Sequence, residues 1–225
     1  MSEVQDVITL DNGDFRTRFL LGDGLLGKCL DEEITYIMQE RMDLVKAVSV
    51  IERELNKKVY HEAPVLLVAV GSYQATAAYN EWSVDNILKD FPNNVTGAVK
   101  KFDENLKLLK KTAKNNKCKI VMCSLMPLPE QNSNLVKGKE KFLSDQVSRL
   151  FVEFNNSIDR YNAKQGESTL KLKKFLDKGD KQKYVSTQRY IKMSCYTDAE
   201  DGQPKLINEM QEKLMGMAVR RLRNL

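Results

Sequence analysis

The 225-residue sequence has little of several residue types on which common catalytic and structural sites depend. It contains one histidine, His61, so any Ser/His, Cys/His or imidazole general-base scheme must use that residue. Its four cysteines form no CxxC spacing and stand beside apolar residues, which gives weak support to zinc or redox chemistry. We therefore expect reduced, largely buried thiols, no metal site and no cofactor.

Long apolar runs and a secretory leader are also missing. The longest apolar run, Val65 to Val70, is far shorter than the roughly 18 residues that a membrane span requires. The N-terminal segment carries acids where a signal peptide would carry basic residues. The sequence thus predicts no membrane segment and a cytoplasmic protein, with the nucleus left open.

The composition is that of an ordinary globular domain, with 42% hydrophobic and 30% charged residues. A chain of this size buries about 70% of the surface that its unfolded form exposes, so it needs no disulfide or metal staple. We expect an N-terminal tail at residues 1–17, followed by a single domain at residues 18–225.

Strand-like apolar runs alternate with segments of helical period, which is typical of an α/β domain with a mainly parallel sheet. The predicted strands are Arg18–Leu21, Val65–Val70 and Lys119–Leu125, with weaker ones at Leu170–Phe175 and Ile191–Met193. Helices are predicted from Asp31 onward and over residues 94–116, 139–161 and 205–225. Residues 44–50 are left open as a short second strand.

Four motifs follow the predicted strands in order. Gly22-Asp23-Gly24-Leu25 follows the first strand, and Gly71-Ser72-Tyr73-Gln74 follows the central buried strand. Ile120 to Pro127 is a strand that ends in a proline, and Tyr196 to Gly202 precedes the last helix. In this order the motifs resemble the sequence blocks of the SGNH (GDSL-type) hydrolases. The resemblance implies a three-layer α/β/α fold with a doubly wound, mainly parallel sheet, in which sites form beyond the carboxyl ends of strands.

The motifs depart from the family's pattern where catalysis would occur. Gly24 stands at the nucleophile position and has no side chain. Tyr73 replaces the asparagine that helps to hold the oxyanion, and Gln74 follows where an aspartate is usual. In the last block, Asp201 or Pro204 stands where the histidine is expected. The resemblance therefore predicts a catalytically inactive domain rather than an enzyme.

Ser72 is the best candidate for a substitute nucleophile, because it directly follows the central strand. His61 precedes that strand, and at roughly 3.3 Å per residue the two side chains would lie more than about 20 Å apart. They cannot be partners. Cys29 is a conceivable alternative nucleophile, but Lys28 is the one nearby group that could lower its pKa. A residual esterase-type hydrolase is accordingly the third interpretation.

Charge is distributed unevenly along the chain. Residues 94–119 and residues 171–192 each carry a balance of +6, whereas residues 31–54 carry −4. Basic stretches favour polyanions because they release condensed counterions, and interleaved tyrosines suit base stacking. The other interpretation is that such lysines form a solvated helix face. The predicted RNA-binding residues are Lys100, Lys107, Lys111, Lys114, Lys171, Lys173, Lys174, Lys181, Lys183 and Arg189.

The length, the lost triad and the lysine-rich surface are similar to those of the C-terminal domain of Oskar, an SGNH-like domain taken to bind RNA. This resemblance implies a pseudoenzyme that binds RNA or joins protein partners in an RNA-handling assembly, in the cytoplasm or in ribonucleoprotein granules of the germ-granule kind. The alternative is a protein-interaction scaffold without direct RNA binding, which docks partners through its acidic N-terminal helix and methionine-rich C-terminal helix.

Overall fold

Within the part of the chain that it describes, the computed structural model has a four-stranded parallel sheet and three long helices. It describes residues 6–11, 17, 21, 34–39, 42–57, 60, 64–75, 93–125, 139–172 and 217. The strands are β1 (Val7–Asp11), β2 (Thr35–Met38), β3 (Val65–Ala69) and β4 (Lys119–Met122). The helices are α1 (Leu44–Leu55), α2 (Asn93–Asn115) and α3 (Lys139–Ala163).

The strands lie in the order β2-β1-β3-β4, and all neighbouring pairs are parallel. Leu10 lies between Ile37 and Val68, and Val68 lies beside Met122. β1 and β3 are buried along their whole length, which explains their continuous apolar character. The direction of winding reverses between β1 and β3, as in doubly wound sheets. The predicted fold class is therefore confirmed.

The two faces of the sheet are both buried. One face forms a single core with α1, α2 and α3. It carries Ile8, Leu10, Leu66, Val68, Ile120 and Met122. In that core the rings of Phe102 on α2 and Phe154 on α3 stack with centroids 4.0 Å apart. The opposite face carries Val7, Leu67 and Val121, which are also buried. Alternation along each strand thus supplies both faces of the sheet with apolar side chains.

The first strand lies earlier than the sequence predicts. β1 (Val7–Asp11) occupies a central position in the sheet, so these residues are not part of a tail. Leu21 is the described residue of the predicted strand at 18–21, and it is helical and buried. Thr17, which precedes that segment, is also helical and buried. Three adjacent β-branched residues favour a strand at β1, but the run is short and ends in an acid.

The predictions for residues 31–50 are also wrong. β2 (Thr35–Met38) stands where a helix was expected, and α1 occupies the segment left open as a strand. The helix begins after Asp43, whose Oδ1 accepts a hydrogen bond of 2.7 Å from the backbone N–H of Lys46. A four-residue strand is too short for its periodicity to be separated from that of a helix.

The predictions for β3, β4, α2 and α3 are confirmed within a few residues. Leu170 forms a parallel bridge with Cys123, which supports the beginning of the weak strand predicted at 170–175. Residues 173–175 and 191–193 lie outside the described residues. In the predicted C-terminal helix only Met217 is described, and it is helical.

Two asparagines of α3 occupy the outer edge of β4 and the residues that follow it. The fully buried Asn162 accepts a hydrogen bond from Met122 N (3.0 Å) and donates to Met122 O (2.8 Å). Asn155 makes the same pair of bonds with Leu125 N (2.7 Å) and Leu125 O (3.3 Å). Between them, Ser124 N donates to Leu170 O over 3.0 Å. Side-chain amides thus satisfy backbone groups that a further strand would otherwise pair.

Candidate functional site

The candidate site is the crevice beyond the carboxyl ends of β1 and β3. These strands are neighbours, and their last residues, Asp11 and Ala69, are paired in register. The winding reverses between them, and ligands of open α/β sheets bind at such a switch point. Asp11 ends β1, while a helical turn that begins at Ser72 follows β3. Among the described residues, these two segments place polar side chains at this edge of the sheet.

Asp11 provides a carboxylate that is completely buried. Its Oδ2 accepts a hydrogen bond of 2.7 Å from the hydroxyl of Tyr36 on β2, and its backbone oxygen accepts one of 3.1 Å from Gln39 N. A buried carboxylate is tolerated only when such donors replace the water that it loses. β2 therefore holds the Asp11 carboxylate in place at the end of β1.

Cys123 lies close enough to Asp11 to feel its charge. Burial of Cys123, together with the negative charge of Asp11, raises the pKa of the thiol well above its usual value. A thiol whose pKa is raised has little of the thiolate form that attacks carbonyl groups or binds metals. Cys123 is therefore not a suitable nucleophile. Within the described ranges, no three His, Cys, Asp or Glu side chains are grouped to hold a metal ion.

Gly71 makes the sharp turn between β3 and the helical residues Ser72 to Ala75. Its φ of 141° is one that L side chains rarely adopt. A Cβ at this position would also lie 2.9 Å from Cε2 of Phe102. Ala75 N donates to Gly71 O over 3.2 Å and closes the helical turn. The result is a strand–turn–helix junction with Ser72 at its first helical position, similar in outline to the nucleophile elbow of α/β hydrolases.

Gln74 and Tyr73 follow Ser72 in the same turn. The Oε1 of Gln74 accepts a hydrogen bond of 3.2 Å from Leu44 N at the first residue of α1. Its amide oxygen therefore secures the start of α1, where backbone N–H groups lack helical acceptors. The sequence predicted Gln74 only as a degenerate catalytic position and missed this contact, because 30 residues separate the partners. Tyr73 is half-buried.

The remaining predicted site residues are dispersed or lie outside the described residues. Gly24, Asp201, Pro204 and His61 are outside them. Of the predicted RNA-binding residues, Lys173, Lys174, Lys181, Lys183 and Arg189 are also outside. The exposed side chains of α2 include Lys100, Lys107, Lys111 and Lys114. These four lysines lie on a different element from the crevice residues. Lys171 is exposed and pairs with Asp159 over 3.1 Å.

Comparison with known proteins identifies the fold. No family model matches the chain, and no curated protein matches its sequence. An acetyl xylan esterase structure matches with a TM-score of 0.52 at 9% identity, covering 96% of this chain and 98% of the other. A structure from Desulfitobacterium hafniense, described as a lipolytic protein of the G-D-S-L family, matches with a TM-score of 0.53 at 15% identity, covering 98% and 99%. The chain has the SGNH-hydrolase-like fold. A structure from Bacteroides fragilis, described as an acylhydrolase, matches this SGNH-like chain with a TM-score of 0.52 at 11% identity, covering 100% and 88%.

These comparisons overturn the predicted function. The similar structures are described as an esterase, a lipolytic protein and an acylhydrolase, and these descriptions contradict the prediction of an inactive domain that binds RNA or serves as a scaffold. The error has a structural origin. The absence of a nucleophile was inferred from Gly24 on the assumption that the first strand is 18–21, whereas the first strand of this SGNH-like sheet is β1 (Val7–Asp11). Gly24 itself lies outside the described residues, so its assignment as the nucleophile position stays a prediction.

Proposed function

We propose that the chain is an ester hydrolase whose active site is the crevice beyond β1 and β3. The observation that carries this proposal is the position of Ser72 on the strand–turn–helix junction at the switch point. The neighbouring strand ends there in the buried carboxylate of Asp11. The hydroxyl and the carboxylate supply a nucleophile and a general base, two of the groups that an acyl-transfer site uses. The esterase and acylhydrolase descriptions of similarly folded proteins support the same reaction class.

In the proposed reaction, Ser72 Oγ attacks the carbonyl carbon of an ester and forms an acyl-enzyme while the alcohol leaves. Asp11 accepts the proton of the Ser72 hydroxyl, and that proton passes to the departing alkoxide. Water then attacks the acyl-enzyme, which releases the carboxylic acid and restores the serine. Neighbouring strands such as β1 and β3 lie about 4.8 Å apart, and this spacing brings Asp11 and Ser72 to the same crevice. Tyr36 holds the Asp11 carboxylate through their hydrogen bond of 2.7 Å.

The test is hydrolysis of p-nitrophenyl acetate by the purified full chain. We expect Ser72→Ala to reduce the rate to the uncatalysed background and to prevent acetylation of the peptide that contains residue 72. Asp11→Asn should lower kcat by roughly 10²- to 10⁴-fold, the range for loss of a general base. Ser49→Ala changes an exposed serine on α1 and serves as the matched control.

Circular dichroism of each variant separates loss of activity from loss of fold. A wild-type chain that is folded but hydrolyses neither p-nitrophenyl acetate nor p-nitrophenyl butyrate would overturn the proposed function. A Ser72→Ala variant with full activity would overturn the assignment of the nucleophile.

A further inference from the structure

A second concave surface lies between α2 and α3. It has a volume of about 620 Å³, within the range of roughly 300–1,000 Å³ that small-molecule sites occupy. Val99, Leu106 and Tyr161 contribute its apolar lining. Neither Asp11 nor any residue of the turn at 71–75 lines it. This interhelical groove is therefore separate from the crevice beyond β1 and β3.

The charged residues around the interhelical groove are predominantly basic. The basic side chains are Lys100, Lys107, Lys110, Arg160 and Lys164, and the acidic ones are Asp103 and Glu104. Asp103 Oδ2 on α2 and Arg160 Nη2 on α3 lie 3.7 Å apart across the groove. Asp103 therefore already has a basic partner. The uncompensated charge of the groove is consequently positive.

The Asp103–Arg160 pair marks a point where α2 and α3 meet across the groove. Four residues beyond Asp103 on α2 is Lys107. Four residues beyond Arg160 is Lys164, which directly follows the last residue of α3 and whose N–H still donates to Arg160 O over 3.2 Å. A spacing of four residues returns to the same helix face, one turn further along. The two lysines therefore stand on opposite sides of the groove at the same level. Lys107 and Lys164 are both exposed, and both line the groove.

Tyr161 adds a buried polar atom near this level. The residue is 6% exposed, and its hydroxyl has no hydrogen-bond partner within the described part of the chain. Burial raises the pKa of Tyr161 to about 12, so the hydroxyl keeps its proton at neutral pH. Because this oxygen is itself enclosed, an occupant of the groove does not reach it, and Tyr161 contributes only its ring to the lining.

We propose that the interhelical groove binds an anionic amphiphile, a molecule with a carboxylate or phosphate head group and an apolar chain. The head group lies between Lys107 and Lys164. The chain lies along Leu106 and Val99. Charge complementarity favours an anion over a neutral or cationic occupant, and the apolar lining favours a chain over a free inorganic ion.

The test is calorimetric titration of the full chain with octanoate, octyl phosphate, octanol and acetate at constant ionic strength. We expect saturable binding of octanoate and octyl phosphate, with the tighter of the two identifying the preferred head group. Octanol, which lacks the charge, should bind at least tenfold more weakly, and acetate, which lacks the chain, should not bind. Absence of saturable binding by both anionic amphiphiles would overturn the proposal.

Matched variants test the placement. Lys107→Glu with Lys164→Glu should weaken octanoate binding at least tenfold. Lys101→Glu with Lys114→Glu makes the same charge change on exposed residues outside the groove and should leave affinity within about twofold. Equal losses of octanoate affinity in the two double variants would show that a diffuse positive field, and not the groove, attracts the anion.

Tyr161→Phe removes only a hydroxyl that the groove does not expose, and it should leave octanoate affinity within about twofold. A several-fold loss of affinity in this variant would overturn the placement of the head group. Circular dichroism checks that each variant is folded. If the Lys107→Glu and Lys164→Glu double variant does not fold, the single variant Lys107→Gln replaces it in the test.

Discussion

Replacing Asn162 with alanine removes the side chain that closes the outer edge of β4 at Met122. Both residues are completely buried, so water cannot take over the two bonds that Met122 loses. A third bond, from Asn162 Nδ2 to Thr169 Oγ1 over 3.0 Å, is lost as well. Each buried backbone group left without a partner costs about 1–3 kcal/mol, which gives about 2–6 kcal/mol for the N–H and C=O of Met122. Alanine recovers at most about 0.7 kcal/mol through its higher helix propensity. We expect the free energy of unfolding to fall by about 3 kcal/mol.

Urea denaturation followed by circular dichroism measures this change, and an unchanged m-value would show that the two unfolding reactions are comparable. Asn156→Ala is the matched control, because Asn156 lies on the same helix and is exposed. Its effect should remain within about 0.5 kcal/mol. A loss of less than about 1 kcal/mol for Asn162→Ala, at unchanged m-value, would refute the idea that the asparagine takes the place of a strand.

Three further changes test other parts of the structure. Gly71→Ala should lower the free energy of unfolding by about 2–4 kcal/mol, measured by urea denaturation, because the new Cβ meets Phe102 at a strained φ; an effect below about 1 kcal/mol would contradict this. Burial raises the pKa of Glu54, but hydrogen bonds from Lys57 and Tyr60 outweigh it, so the net pKa lies below 4.5. Glu54→Gln should therefore lower the free energy of unfolding by about 1 kcal/mol at pH 7. Urea titrations should show this difference disappearing as the pH falls through the folded-state pKa of Glu54, and a difference that stays constant with pH would contradict the prediction. Cys123 should resist iodoacetamide until the protein unfolds, as read by mass spectrometry of its peptide, because burial raises the pKa of its thiol; rapid labelling of the native chain would show otherwise.

The sequence predicted the elements whose patterns are long. The run at β3 and the periodicities of α2 and α3 extend far enough to be unambiguous, and the structure has them where expected. β1 and β2 have five and four residues, which is too few for such patterns to decide between strand and helix. The shift of the first strand had the largest consequence, because it moved the expected nucleophile position to Gly24.

The candidate site was only partly predictable for a different reason. Ser72 was recognisable, since it directly follows a strong strand. The role of Asp11 depends on Tyr36, 25 residues away, and that of Gln74 on Leu44 at the start of α1. Such contacts are produced by strand order and helix packing, which leave no local signal in the chain. Asp11 itself precedes Asn-Gly, a pair that suggests only a turn.

The closeness of Gly71 to Phe102 links the crevice to the core mechanically. The ring that limits the turn before Ser72 is the same ring that stacks on Phe154 between α2 and α3. A change in the volume of Phe102 would therefore displace the peptide that positions Ser72, even though Phe102 lies in the core. Laboratory evolution of the crevice should retain Ser72 and find residue 73 open to change, whereas substitutions at 71 and 102 should require compensation in each other.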